Sequence, residues 1–243
     1  MNTFVDSLPQ VSEDVFTARP VEVEGNDGHT RPLVWDSDSF GEEQIRGLVR
    51  QLFYPGWPKP AHQVVFSAVD PETDIGEICL QVGLALSAQL SGSVCLVEAD
   101  GMNPGLEQAI EKAGLNLVPT EGSCDSRGSS RKLANELCLV PKSAFLGETR
   151  IALSGSLLRD QLMDLRQSFD YTLIHGPASG TRTEAALLGS LCDGVVLVVE
   201  ANSTRRVAAQ KVKERLHSAN ARLLGAVLSQ RTFPIPEAIY RRL

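Results

Sequence analysis

The sequence predicts a doubly wound α/β domain with a mainly parallel sheet, and three observations lead there. From Gln63 onward, short apolar runs rich in β-branched residues alternate with longer segments of helical periodicity, the pattern of strands joined by crossover helices. The short runs, such as Val64-Val65-Phe66, are continuously apolar, as strands covered on both faces require. The stretch Val64–Ser87 sets out one complete opening unit: strand, turn-rich acidic loop over Asp70–Glu77, then a long segment with few charges. A phosphate-binding loop at a helix N-terminus has the same layout.

The elements follow in order. Residues 1–35 are polar, acidic and poorly periodic and read as a flexible tail. A helix is expected over 36–53: Asp36 to Ser39 can cap it, Glu42 and Glu43 fall in its first turn, and Ile45, Leu48, Val49 and Leu52 recur at helical spacing. Pro55, Pro58 and Pro60 make 54–62 a rigid linker. The main domain is therefore expected over 36–243. Strands are expected at Val64–Ser67, Val94–Glu98, Leu137–Val140, Tyr171–His175, Val195–Glu200 and Leu223–Leu228. Helices are expected at Gly76–Leu90, Leu106–Ala113, Gly155–Ser168, Thr183–Leu191 and Thr204–Ala219. The polar, Gly/Ser-rich segment 119–132 reads as a surface loop, and its Arg127, Arg131 and Lys132 could meet an anion.

Composition narrows the function. The formal net charge of −7 argues against broad electrostatic binding, so no nucleic-acid partner is expected. No apolar run reaches the ~18–20 residues of a membrane span. Acids stand in the first 16 residues where a signal peptide carries positive charge, so the expected location is the cytoplasm. The five cysteines form no CxxC pair and the four histidines show no metal-ligand spacing, so no metal site is expected.

In such sheets ligands sit beyond the carboxyl ends of the strands, which directs attention to the loops after Ser67, Glu98 and His175. There the chain resembles the bacterial tyrosine kinases, the cytoplasmic P-loop ATPases of capsule and exopolysaccharide systems, related to the MinD- and ParA-type ATPases. Phe66–Pro71 with the helix that follows resembles the family's Walker A entry. Cys95–Leu106 resembles its second acidic motif, Phe169–Pro177 its Walker B strand, and Leu191–Arg206 with Leu223–Leu243 its closing strand–helix–strand and tail. The resemblance covers roughly residues 39–243 and implies a three-layer P-loop NTPase-like fold.

The family's chemistry does not carry over residue by residue. A Walker A loop needs glycines for close phosphate approach, a lysine for the β- and γ-phosphates and a Ser or Thr for Mg²⁺. With Pro71 on the family's proline, the glycines fall on Glu72 and Asp74, the lysine on Ile75, and the hydroxyl pair on Gly76 and Glu77. Acids there suit the positive end of a helix but repel a phosphate chain. Glu98 and Asp100 keep the two acids of the second motif. His175 replaces the Walker B aspartate, ahead of the retained Pro177, and is a poor Mg²⁺ ligand; it could bond Asp100 or a backbone group instead. Tyr240 is the one tyrosine that could serve as a phosphoacceptor in the tail, and Glu43, Arg46 and Arg50 partly match the family's assembly pattern.

The expectation is a catalytically degenerate relative that acts as a regulatory or scaffolding component of polysaccharide biosynthesis and export, with no cofactor. Its implied partners are a membrane co-polymerase or export protein, an active paralogue, or further copies of itself. Such a partner would hold it peripherally at the inner membrane. The alternative is an active ATP-dependent kinase or ATPase, in which Glu98 and Asp100 hold Mg²⁺ and Lys132 or Arg127 replaces the missing lysine.

Overall fold

Every residue of the first strand, β1 (Gln63–Ala68), is buried, which places it at the centre of the sheet. The computed structural model describes residues 37–54, 60–100, 105–115, 118–119, 131–134, 137–147 and 155–230. Ahead of β1 lies α1 (Ser37–Phe53); after it come α2 (Gly76–Gln89), β2 (Val94–Glu98), α3 (Gly105–Lys112), β3 (Val118–Pro119), β4 (Arg131–Ala134), β5 (Leu137–Val140) and α4 (Lys142–Leu146). The chain continues through α5 (Gly155–Ser168), β6 (Tyr171–His175), α6 (Glu184–Leu191), β7 (Gly194–Glu200), α7 (Arg206–Ser218) and β8 (Leu223–Ser229).

The eight strands lie in the order β3-β4-β5-β2-β6-β1-β7-β8. All pairs from β5 to β8 are parallel, and β3 and β4 add an antiparallel edge. Alternation along β1 divides the core in two. Val64, Phe66 and Ala68 pack with Val49, Phe53, Leu80, Leu86 and Ile110 from α1, α2 and α3. Val65 faces the other way, toward Phe145, Leu158, Leu162, Leu188 and Leu216 from α4 to α7. A sheet covered by helices on both faces is the doubly wound arrangement that the apolar strands predict.

The segment 119–132 differs from the loop expected. Its two ends enter strands, with Lys132 opposite Cys138 of β5 and Val118 opposite Lys132; residues 120–130 lie outside the described residues. An edge strand needs only backbone pairing, so polar side chains do not betray it. The short α4, after Pro141, escapes a periodicity reading because five residues do not complete two turns. Helix α7 starts at Arg206 rather than Thr204 because the backbone of Arg205 is extended and the Thr204 N–H closes a turn onto the Glu200 carbonyl.

Asp193, just before β7, pins the amino ends of the strands. Its Oδ2 accepts the N–H groups of His62 and Gln63 at 2.8 and 2.9 Å, and Arg166 donates to both carboxylate oxygens at 2.7 and 2.6 Å. Burial pushes the Asp193 carboxyl up, but the Arg166 guanidinium and the two N–H groups outweigh it and hold the group below its ordinary value. A depressed folded-state value contributes stability above the unfolded value of about 3.9 and loses it as pH falls through the folded one. Asp193→Asn is therefore expected to melt lower at neutral pH, by an amount equivalent to about 2 kcal/mol. The gap to the parent should narrow below about pH 4 in thermal melts followed by circular dichroism.

Candidate functional site

The strand order makes β2, β6 and β1 neighbours, so the three loops of interest converge at one place. Backbone bonds fix them there. The Gly176 N–H donates to the Phe66 carbonyl at 2.9 Å, the Ser179 N–H to Ala68 at 2.8 Å, and the Ala99 N–H to His175 at 2.9 Å. The Ser67 hydroxyl donates to the carbonyl of Pro177 at 2.6 Å.

At the centre is a buried carboxylate. Glu98 is directly opposite His175 in the parallel register of β2 and β6, so both side chains leave the sheet on the same face. Nδ1 of His175 lies 2.6 Å from Oε1 of Glu98, and both side chains are almost wholly inaccessible. An ionised carboxylate only accepts, so in that state of the pair the proton lies on Nδ1. His175 thus meets Glu98, not the Asp100 or backbone group the sequence suggested, because equal register decides the pairing. The Asp100 N–H donates to the same Oε1 at 3.1 Å. The Leu106 N–H, in the first turn of α3, donates to Oε2 at 2.9 Å. Both oxygens of Glu98 are thereby engaged within the protein, holding the two ends of the second motif.

The loop after β1 is closed in a related way. Oδ1 of Asp74 accepts the Gly76 N–H at 2.9 Å, taking one of the free donors at the start of α2. Its Oδ2 pairs with Nζ of Lys112 at 3.8 Å. Ile75, which the sequence reading sets against the family's lysine, is buried in the core with α2. Asp70 accepts the Thr204 hydroxyl at 2.6 Å, and that hydroxyl oxygen accepts the Glu200 N–H at 3.1 Å. The Thr73 hydroxyl donates to Glu200 at 3.1 Å. Glu77 accepts from Gln81 at 3.2 Å, while Pro71 and Glu72 are exposed. The acids are therefore distributed among internal partners rather than pooled around one cavity.

The two helix starts touch. A methyl group added at Gly76 would run into the carbonyl of Gly105, and one added at Gly105 would lie 2.8 Å from Nε2 of His175. Backbone approaches this close admit only glycine. Beneath them lies Cys79, fully buried; burial, reinforced by the negative charges of Glu98 and Asp74, pushes its thiol well above the ordinary value, which leaves it an inert core group.

The other expected site residues that are described belong to α1 and β4. Arg46 pairs with Glu42 at 3.0 Å and Glu43 at 3.6 Å on the open face of α1, and Arg50 is exposed on the same helix. Lys132 sits on β4. Tyr240 and Arg127 fall outside the described residues. Among the described residues no three His, Cys, Asp or Glu side chains gather as a metal site, and no helix is long and apolar enough to cross a membrane. Sequence reasoning overlooked Gly105, Thr204 and Glu200. The glycine that ends Asp100-Gly-Met-Asn-Pro-Gly105 was the only available signal; the other two act across 127 and 134 residues of sequence.

No family model matches the chain. The Streptococcus agalactiae tyrosine-protein kinase CpsD is 25% identical over 164 residues, which cover 64% of this chain and 70% of that protein. Among solved structures, the chimerical protein CapA2B2 superposes with a TM-score of 0.60 at 20% identity, covering 79% of this chain and 85% of that one. The MinD cell division protein of Aquifex aeolicus gives 0.51 at 19% identity, covering 75% and 73%. The chain is related to bacterial tyrosine kinases, and its fold is that of the MinD-like P-loop NTPases.

Proposed function

We propose that this relative of the bacterial tyrosine kinases works by binding rather than by phosphoryl transfer, as a regulatory or scaffolding component of a capsule or exopolysaccharide export system. The observation that carries the reading is the closed start of α2. Asp74 occupies the Gly76 N–H, Ile75 is turned into the core, and the Gly105 carbonyl fills the space where a hydroxyl side chain at Gly76 would project. A magnesium nucleotide needs free N–H groups, a lysine and a hydroxyl at that place, and these residues do not fit it. Glu98, the acid the alternative reading assigns to Mg²⁺, already accepts from His175, Asp100 and Leu106.

Isothermal titration of the full chain with Mg-ATP is expected to show no binding in the micromolar range, and incubation with labelled ATP no phosphate on Tyr240. Magnesium-dependent micromolar binding, or turnover abolished by Asp100→Ala, would establish the kinase or ATPase alternative instead. Docking on a membrane co-polymerase or an active paralogue follows from the proposal and is read by co-purification from the native host.

A further inference from the structure

The last strand and last helix of the described residues present a surface with a chemistry unlike the rest of the chain. β8 ends the sheet, and among the described residues nothing pairs with its outer side. Natural edges are blunted by charge, proline or a covering segment. Between Leu223 and Ser229 β8 has neither charge nor proline, reading LLGAVLS. Gly225, Ala226 and Leu228 are exposed, Leu228 at 53%.

Beside this edge runs the most basic segment of the protein. Arg205, Arg206, Lys211, Lys213, Arg215 and Arg222 stand within 18 residues that hold a single acid, Glu214, in a chain of net charge −7. All six are exposed. Arg215 is spent on the carbonyls of Ser179 and Gly180 at 2.7 and 3.1 Å. None of the other five takes part in a salt bridge or side-chain hydrogen bond with the described residues. Val207, in the first turn of α7, adds an apolar surface 63% exposed. Because α7 runs back from the carboxyl end of β7 to the amino end of β8, Arg205, Arg206 and Val207 share one end of the edge with Leu228.

We propose that this edge is a docking site for an extended, acidic and apolar segment of a partner protein, which adds a strand to β8 while its acids meet the arginines and lysines of α7. An open edge supplies main-chain hydrogen bonds, and flanking charges select among the strands that could use them. Charge decides against a second copy as occupant, since edge-to-edge pairing would bring two sets of unneutralised cations together. The inference builds on the reading that the protein works by binding, and names the partner's chemistry at the β8 edge, where Arg205 and Arg206 follow the Thr204 that holds Asp70 of the loop before α2.

The test uses the full chain without nucleotide and a fluorescein-labelled nonapeptide of alternating valine and glutamate. Anisotropy is expected to show saturable binding that weakens with salt and falls at least about tenfold in the Arg205→Glu/Arg206→Glu variant. Hydrogen exchange should show new protection of β8 amides. The same peptide with lysine for glutamate should not bind. Four results would overturn the proposal: equal binding of an all-glutamate peptide without β8 protection, unchanged affinity in the double variant, tighter arginine-dependent binding of duplex DNA or phosphatidylglycerol vesicles, or β8 protection arising from dimerisation alone. The titration with Mg-ATP reads nucleotide, whereas the peptide is added without nucleotide and is read at the β8 amides, so either reading can fail while the other stands.

Discussion

Replacing Gly76 by alanine is expected to cost about 3 kcal/mol of folding stability or more, at the upper end of overpacking penalties. The added methyl meets a carbonyl, part of a backbone held at the start of α3, and not a side chain free to turn away. Gly76→Ser, which returns the hydroxyl that an active loop would carry, is expected to cost at least as much. Combining it with Ile75→Lys should cost more again, because Ile75 lies in the core and a buried ammonium has no partner there. Urea denaturation followed by circular dichroism measures each variant. A Gly76→Ser protein as stable as the parent, and able to bind Mg-ATP, would show that the two helix starts part readily; the closed site would then be no obstacle to nucleotide.

The second large effect is expected at Glu98. Glu98→Ala removes the acceptor of three donors at once, the His175 Nδ1–H and the Asp100 and Leu106 N–H groups, at a position with no solvent exposure. Breaking a buried polar pair from one side typically costs about 3–5 kcal/mol, and the two orphaned amides place this case toward the top of that range. Glu98→Gln keeps one carbonyl oxygen and should lose less. His175→Asp, which restores the family's Walker B acid, sets two carboxylates against each other in burial and is expected to destabilise the fold rather than revive it. Thermal melts of the three variants order them. If Glu98→Ala melted with the parent, Glu98 would not be the post that holds the second motif.

The physical sense of the site lies in this exchange. A nucleotide-binding loop meets the charge of phosphates and a cation when it is occupied. Here Glu98 and His175 supply an internal pair at that place, Asp74 closes the helix start, and Thr204 and Glu200 anchor the loop after β1. The loops are ordered by residues that the chain carries itself.

Several of these features could be read before any coordinates. The continuously apolar runs of β1, β2, β6 and β7 demanded a sheet buried on both faces, and the apolar α2 demanded a place against it, because burial of such segments has few other solutions. Residue type alone states that Glu72, Asp74, Ile75, Gly76 and Glu77 stand where the resemblance sets glycines, a lysine and two hydroxyls. The antiparallel edge of β3 and β4 was not legible, because its bonds are made by backbone that every residue has. Which acid His175 would meet depended on the register of β2 against β6, a long-range property that spacing within either strand does not encode. The same holds for the contact of Gly76 with Gly105: two glycines meet backbone to backbone only when two helices from different loops start against each other. Residue identity thus determined which side chains the loop carries, and the tertiary structure alone decided what they meet.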